Sequence, residues 1–183
     1  MNIETIYTSK LNDDAIAKAS INLPSGQLVF GTYSIKDGKL LNKKVTPGSY
    51  DVSAFWIEEE HMDSLNASVG LNMVVIDFND NAIVTWEEVT DVEGNELADL
   101  DCFEFLVYDQ SNIDSLENSE KEVKSIKEIC YSDGMAELKG GNAVNIYIGE
   151  DSVSNKVHWA LDAENNPVKL VFYFDYGYGS DEE

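Results

Sequence analysis

Alternating apolar residues in the last third of the chain constrain the fold more than any other feature. Segment 142–175 contains three runs in which every second residue is apolar, the period of a β-strand with one buried face. The three sets are Val144, Ile146 and Ile148, then Val157, Trp159 and Leu161, then Val168, Leu170, Phe172, Phe174 and Tyr176. The polar residues at 162–167 are typical of a turn. The pattern predicts a deeply packed antiparallel hairpin at the end of the domain.

Shorter apolar runs predict strands in the rest of the chain. They lie at about 27–35, 50–57, 67–78, 83–89 and 103–108. Because these strands follow one another along the chain and a tight polar turn precedes the strand at 83–89, we expect residues 50–89 to form an antiparallel meander. Asp13 and Asp14 precede the run AIAKASI and predict a short helix there, since acidic residues stabilise helix N-termini.

One longer helix is predicted over about residues 111–133. Its stripe follows the 3.6-residue period through Ile113, Leu116, Glu120, Val123, Ile126 or Lys127, and Cys130, with the charged Glu120 as its weak member. Ser111 with Asp114 resembles a capping box, and Gly134 suits the position after a helix end. The fold class is therefore α+β, a mostly antiparallel β-sheet or sandwich with one amphipathic helix.

Size and composition favour one globular domain. The chain has 183 residues, of which 43% are hydrophobic, enough for a core of its own. We expect a single domain over residues 1–176 and a flexible acidic tail over 177–183. No apolar run approaches the length of about 18 residues that a membrane span needs, and the N-terminus lacks a signal-peptide layout. Cys102 and Cys130 suit reduced thiols, so the expected location is cytoplasmic.

The net charge of −23 is the most unusual property of the composition. All twelve cations are Lys, and residues 51–120 carry nineteen Asp and Glu but no Lys. Direct nucleic-acid binding is disfavoured, because phosphates would be repelled and Arg, the usual phosphate and base ligand, is absent. A concentrated negative field instead attracts a basic protein.

Catalytic and cofactor motifs are absent from the sequence. His61 and His158 are the only His residues, and both lie in contexts typical of structural or solvated side chains. We expect no catalytic residue and no cofactor. The three Trp residues, at 56, 86 and 159, lie on predicted strands and suit the core.

One segment matches the spacing of a calcium-binding loop. Asp77, Asn79 and Asn81 supply oxygen ligands at the right intervals, and Glu88 occupies the twelfth position. Ala82 replaces the glycine that such loops need, and strands flank the segment. A plain β-turn is therefore the favoured interpretation, and no metal site is predicted.

Several short motifs resemble those of a known family. They are Pro47-Gly48 with Tyr50, Trp86 on a strand, Cys102-Phe103 before the helix, and Trp159 with Asp162 in the last hairpin. Together they resemble the bacterial domain of unknown function numbered four thousand two hundred and forty-one, over about residues 23–175. The resemblance implies a similar fold and a bacterial or phage setting. By analogy with proteins found near toxin and conflict systems, it also implies an immunity or inhibitor role.

The preferred functional hypothesis is an acidic inhibitor of the immunity, anti-restriction or nucleic-acid-mimic type. It would bind a basic protein partner through segment 51–120. The predicted contact residues are Glu58, Glu59, Glu60, Asp63, Asp91, Glu93, Glu96, Asp99 and Asp101. The alternative is a small-molecule-binding or enzymatic domain whose pocket, near the C-terminal hairpin, uses Tyr147 and His158. A solvated scaffold without a partner is the third hypothesis.

Overall fold

The computed structural model describes residues 3–10, 15, 17–31, 38–56, 71–97, 104–118, 135–137, 141, 143–147 and 154–175. The helices are α1 (Ile3–Lys10) and α2 (Ile113–Asn118), and a 3-10 turn, Gln110–Asn112, leads into α2. The strands are β1 (Ala17–Leu23), β2 (Gln27–Gly31), β3 (Lys39–Lys44), β4 (Gly48–Trp56), β5 (Leu71–Asp77), β6 (Thr85–Glu88), β7 (Glu104–Asp109), β8 (Met135–Glu137), β9 (Ala143–Tyr147), β10 (Ser154–Leu161) and β11 (Pro167–Asp175).

The strands form two antiparallel sheets arranged as a sandwich. The six-stranded sheet has the order β1-β4-β5-β11-β10-β6, and the five-stranded sheet has the order β3-β2-β7-β9-β8. The predicted mostly antiparallel, sandwich-like fold is confirmed. The predicted C-terminal hairpin is also present, with Trp159 opposite Leu170 in the register of β10 and β11.

The interior between the sheets is apolar and aromatic. Phe30 and Phe105 of the five-stranded sheet meet Phe172 of the six-stranded sheet, with ring centroids 4.7–5.9 Å apart. Trp159 is fully buried beside them in the same cluster. The core position predicted for Trp159 follows from the alternation, since Val157, Trp159 and Leu161 all face inward.

Both long sides of the sandwich are bridged by hydrogen bonds between the sheets. On one side, beyond β6, the backbone N–H of Asn42 donates to the carbonyl of Thr90 across 3.0 Å. The backbone N–H of Val92 donates to the carbonyl of Leu40 across 2.9 Å. On the other side, Asn22 of β1 donates to the carbonyl of Gly141 across 2.7 Å. These bonds satisfy edge groups that would otherwise be open to pairing.

Each helix covers part of an outer face. Ile3 and Tyr7 of α1 pack on Met73, Val75 and Val171 of the six-stranded sheet. On the other sheet, Leu116 of α2 is buried in a cluster with Val29, Leu106 and Tyr108. No helix among the described residues combines the length and apolar character needed to cross a membrane.

The predicted meander over residues 50–89 is only partly correct. Strands β4 and β5 are neighbours, but β11 and β10 lie between β5 and β6. The reason lies in β11, whose Val171 and Phe172 are buried on opposite faces. Such a strand requires a partner on each side and a layer on each face, so it takes the centre of the sheet.

The helix predictions need two corrections. The helix expected over the run 15–21 is wrong from Ala17 onward, where the chain forms β1, because Ile21 and Leu23 alternate inward and pair along β4. The 3-10 turn before α2 is capped by Asp109, whose side chain accepts from Ser111 N, rather than by Ser111. The predicted helix beyond residue 118 lies outside the described residues.

Candidate functional site

A compact turn follows β6 and organises the acidic segment around it. The carboxylate of Asp91 accepts hydrogen bonds from the backbone N–H groups of Glu93 and Asn95, both at 2.9 Å, and from the Asn95 amide at 2.9 Å. Gly94 adopts a φ of 84°, which closes the turn. The hydrogen bonds from Asn95 hold the pKa of Asp91 below its usual range. Asp91 is therefore an ionised, internal anchor.

The turn between β10 and β11 has the same construction. The carboxylate of Asp162 accepts from the backbone N–H groups of Glu164 and Asn166 at 3.1 and 2.8 Å, and from the Asn166 amide at 3.5 Å. Asn165 takes the place of the glycine, with a φ of 66°. The Asn166 backbone bond is the main cause of the lowered pKa of Asp162.

The two turns share a short pattern that the sequence prediction missed. Both begin with Asp and have Glu two residues later, Gly or Asn three residues later and Asn four residues later. Asn tolerates positive φ better than other non-glycine residues, so the two segments can fold alike. The signal in the sequence is this shared pattern, and aligning Asp91–Asn95 with Asp162–Asn166 would have revealed both turns.

Three of the nine predicted contact residues lie in the first turn. Glu93 and Glu96 are exposed there, whereas Asp91 is only 8% exposed and its carboxylate is occupied by the turn. We therefore assign Asp91 to the support of this surface rather than to contact with a partner. The other six predicted contact residues lie outside the described residues: Glu58, Glu59, Glu60, Asp63, Asp99 and Asp101.

The stretch that contains this turn forms an acidic border along β6, here named the β6 rim and defined as residues 80–96. It contains six acidic residues and no Lys. Four of the six side chains are exposed: Asp80, Glu88, Glu93 and Glu96. Within the described residues, Val84 and Val92 are the exposed large hydrophobic side chains, at 62% and 58%, and both belong to the rim.

Other carboxylates of segment 51–120 are used inside the protein. Asp109 is fully buried and accepts hydrogen bonds from Ser25 and Ser111. Asp77 pairs with Lys169 at 2.5 Å. Glu87 pairs with Lys43 of the opposite sheet at 3.1 Å. The number of carboxylates that segment 51–120 presents to a partner is therefore smaller than the sequence count indicates.

The calcium-loop spacing does not place its four residues together. Asp77 ends β5, and Glu88 lies on β6, with β11 and β10 between those strands. Asn79 and Asn81 do lie in the loop between them, where their amides donate to the β11 backbone and to the carboxylate of Asp162. The described residues contain no group of three or more His, Cys, Asp or Glu suited to a metal.

The residues of the predicted hairpin pocket lie in different places. Tyr147 is buried in the interior between the sheets. His158 lies on β10 opposite Glu88, and its Nδ1 is buried without a hydrogen-bond partner. Burial is the main cause of a lowered pKa for His158, which favours the neutral ring. The two side chains therefore do not line one cavity. His61 is outside the described residues.

No protein-family model matches the chain, and neither does a curated protein or a solved structure. The family resemblance stays a prediction, and the site has to be judged from its own chemistry.

Proposed function

We propose that the protein is an acidic binding module that docks a basic protein through the β6 rim. The proposed class of protein is the one expected from the charge, an inhibitor that covers a basic surface. The proposed contact surface is smaller than the one predicted from the sequence. The observation that carries the proposal is the coincidence of exposed valines with exposed carboxylates in one lysine-free stretch.

The apolar part of the rim favours a protein partner. Protein interfaces typically combine a small apolar centre with a polar border that excludes water. Val84 flanks β6 on one side and Val92 on the other, and each exposes more than half of its side chain. Two exposed valines beside exposed carboxylates are the combination of apolar and polar side chains that a protein partner would cover.

The charged part of the rim favours a basic partner. Glu88, Glu93 and Glu96 are exposed, whereas Glu87 is paired with Lys43 and Asp91 lies within the field of Lys39. The net charge of −23 adds a long-range field that would accelerate the encounter. Charge pairs at a border contribute mainly to the association rate and are screened by salt.

The Asp91 turn supports this use of the rim. Its three hydrogen bonds to one carboxylate fix the backbone from Asp91 to Asn95 before any partner arrives. A rigid loop loses little conformational entropy on binding, so Val92 and Glu93 are already in position.

Carbodiimide cross-linking tests the proposal, because the reagent joins carboxylates directly to lysine amines in contact. The protein is added to an extract of its native host at low salt, and cross-linked peptides are identified by mass spectrometry. We expect Glu88, Glu93 or Glu96 to be joined to lysines of one partner. Cross-links spread evenly over acids outside the rim, or none at all, would contradict the proposal.

A matched pair of variants separates a specific contact from general charge. Glu93→Gln removes one negative charge from the rim, and Asp51→Asn removes one from β4, which is separated from β6 by three strands. Only Glu93→Gln should reduce the cross-linked product. An equal reduction by both variants would indicate a nonspecific effect of net charge.

A further inference from the structure

A polar cavity of about 300 Å³ opens at the end of the sandwich where the C-terminal hairpin turns. Four parts of the chain form it: the end of β3, the start of β4, the β5–β6 loop and the β10–β11 turn. The side chains used below are Lys44, Tyr50, Phe78, Asn81, Asp162 and Asn166. The cavity is distinct from the turn at Asp91. Its volume lies at the lower limit of typical ligand sites, which suits a ligand of one or two small rings.

Carboxamides and one carboxylate meet on one wall of the cavity. The Asn81 amide donates to Oδ2 of Asp162 across 3.0 Å, and the Asn166 amide donates to the same oxygen across 3.5 Å. Each carboxamide has two N–H donors and an oxygen with two lone pairs. These bonds use one donor of each amide, so the amides retain capacity for a ligand that both donates and accepts.

Another part of the cavity lining is aromatic. The rings of Tyr50 and Phe78 meet edge to face, with centroids 5.1 Å apart and planes at 84°. Phe78 in turn contacts the buried ring of Trp159 at 6.1 Å. The support from Trp159 fixes Phe78, so the wall offers a stable apolar surface to the C–H groups of a ligand.

The ionised groups at the cavity have opposite signs. Asp162 is held in its charged form by the hydrogen bonds that lower its pKa, and Lys44, which also lines the cavity, supplies a positive charge. The two charges balance locally, in contrast to the β6 rim. An anionic ligand would be repelled by Asp162 and a cationic ligand by Lys44, whereas a neutral polar ligand would be repelled by neither.

We propose that this cavity binds a neutral polyhydroxylated ligand of the saccharide class. Hydroxyl groups both donate and accept, which matches the carboxamides of Asn81 and Asn166, and the C–H face of a sugar ring matches Phe78. The cavity shares Asn81 with the β6 rim but uses none of the rim's valines or carboxylates, so either proposal can fail without the other.

Two-dimensional ¹H–¹⁵N NMR of the full chain tests the proposal, with neutral monosaccharides and disaccharides as probes. Glucose, galactose, mannose and N-acetylglucosamine, and their common disaccharides, are titrated to a concentration of about 10 mM, sufficient to detect a Kd of about 1 mM. We expect saturable shifts in the side-chain amides of Asn81 and Asn166 for at least one probe. If no probe shifts these amides, the proposal is wrong.

The twin turn at Asp91 provides a matched control. Asn166→Ala and Asn95→Ala remove equivalent amides from equivalent turns, but only Asn166 lines the cavity. We expect Asn166→Ala to weaken saccharide binding at least fivefold and Asn95→Ala to leave it within twofold, on the order of 1 kcal/mol of discrimination. Equal loss in both variants, at equal melting temperatures, would overturn the proposal.

Discussion

Asp91 and Asp162 occupy equivalent positions in two turns of the same construction. In each turn the Oδ1 atom accepts the backbone N–H groups of the second and fourth following residues, at distances between 2.8 and 3.1 Å. One turn supports the acidic β6 rim and the other forms part of the polar cavity. The two proposed binding surfaces therefore rest on one structural device.

This device should make the protein sensitive to acid. Both carboxyl groups have folded-state pKa values below the ordinary value of 3.8. Their contribution to stability is therefore present above the unfolded pKa and is lost as the pH falls through the folded value. We expect the melting temperature to fall as the pH is lowered below about 4.

The variant Asp162→Asn isolates one of these groups. It keeps an oxygen acceptor but removes the charge, so it should lower the melting temperature at neutral pH and flatten its decline in acid. Calorimetry across the acid range measures both effects. An unchanged acid dependence in Asp162→Asn would show that other carboxylates govern it.

Strand periodicity predicted the sandwich but could not predict the order of its strands. The alternation at Val157, Trp159 and Leu161 identified the inward face correctly. The placement of β6 beyond β10 depends on long-range pairing, to which no local pattern corresponds. The helix predicted over 15–21 was wrong from Ala17 onward because two acidic residues indicated a helix start, whereas pairing with β4 determined the outcome.

The candidate sites were predictable only in part. Charge counting identified the lysine-free segment, and Glu93 and Glu96 are exposed within it. It could not distinguish them from Asp91, because a turn anchor and a surface acid have the same residue type. A pocket near the C-terminal hairpin was an alternative prediction, but with Tyr147 and His158 in it. The polar cavity instead joins Lys44 to Asp162, 118 positions apart in the chain, so its lining follows from the fold alone.

Gly26 should be among the least replaceable residues of the chain. It has a φ of +70°, and a Cβ atom there would lie 2.1 Å from the carbonyl oxygen of Val45. Gly94 has a φ of +84° but open space around the same position. We expect Gly26→Ala to reduce the free energy of unfolding by about 3 kcal/mol or more, and Gly94→Ala by about 1 kcal/mol.

Urea denaturation of the two glycine variants measures this difference. Similar losses would mean that backbone conformation alone, rather than the contact with Val45, determines the cost at Gly26. As a further control, Asn165→Gly should be neutral or stabilising, since Gly adopts the φ of 66° at that position without strain.

Tyr7 should titrate at unusually high pH. Burial, with a smaller effect from Asp77, raises its pKa from 10.0 to about 12. A raised folded-state pKa means that this stabilisation is complete below the unfolded value and is lost as the pH rises through about 12. The phenolate absorbance of the wild type minus that of Tyr7→Phe isolates this group. Asp77→Asn should lower the pKa only part of the way, because burial remains, and a full return to 10.0 would contradict this.

Asn42 and Trp159 should be energetically coupled across the two sheets. The indole N–H of Trp159 donates to Oδ1 of Asn42 across 2.9 Å, while the ring itself is fully buried. Asn42→Ala should cost about 1 kcal/mol of unfolding free energy, because the indole donor loses its acceptor. Asn42→Asp retains an acceptor and should recover most of the loss. If both variants are equally destabilised, the hydrogen bond is not the cause.

The measurement that tests the central proposal most directly is the Kd of the partner joined to the β6 rim by cross-linking. It is determined by calorimetric titration at two ionic strengths for the wild type, the double variant Glu93→Gln/Glu96→Gln and the control Asp51→Asn. We predict that the double variant raises the Kd about tenfold at low salt, equivalent to about 1.4 kcal/mol, and that added salt reduces the difference. Asp51→Asn should leave the Kd within about twofold of the wild type. A Kd that is insensitive to salt, or that changes equally in both variants, would contradict the account.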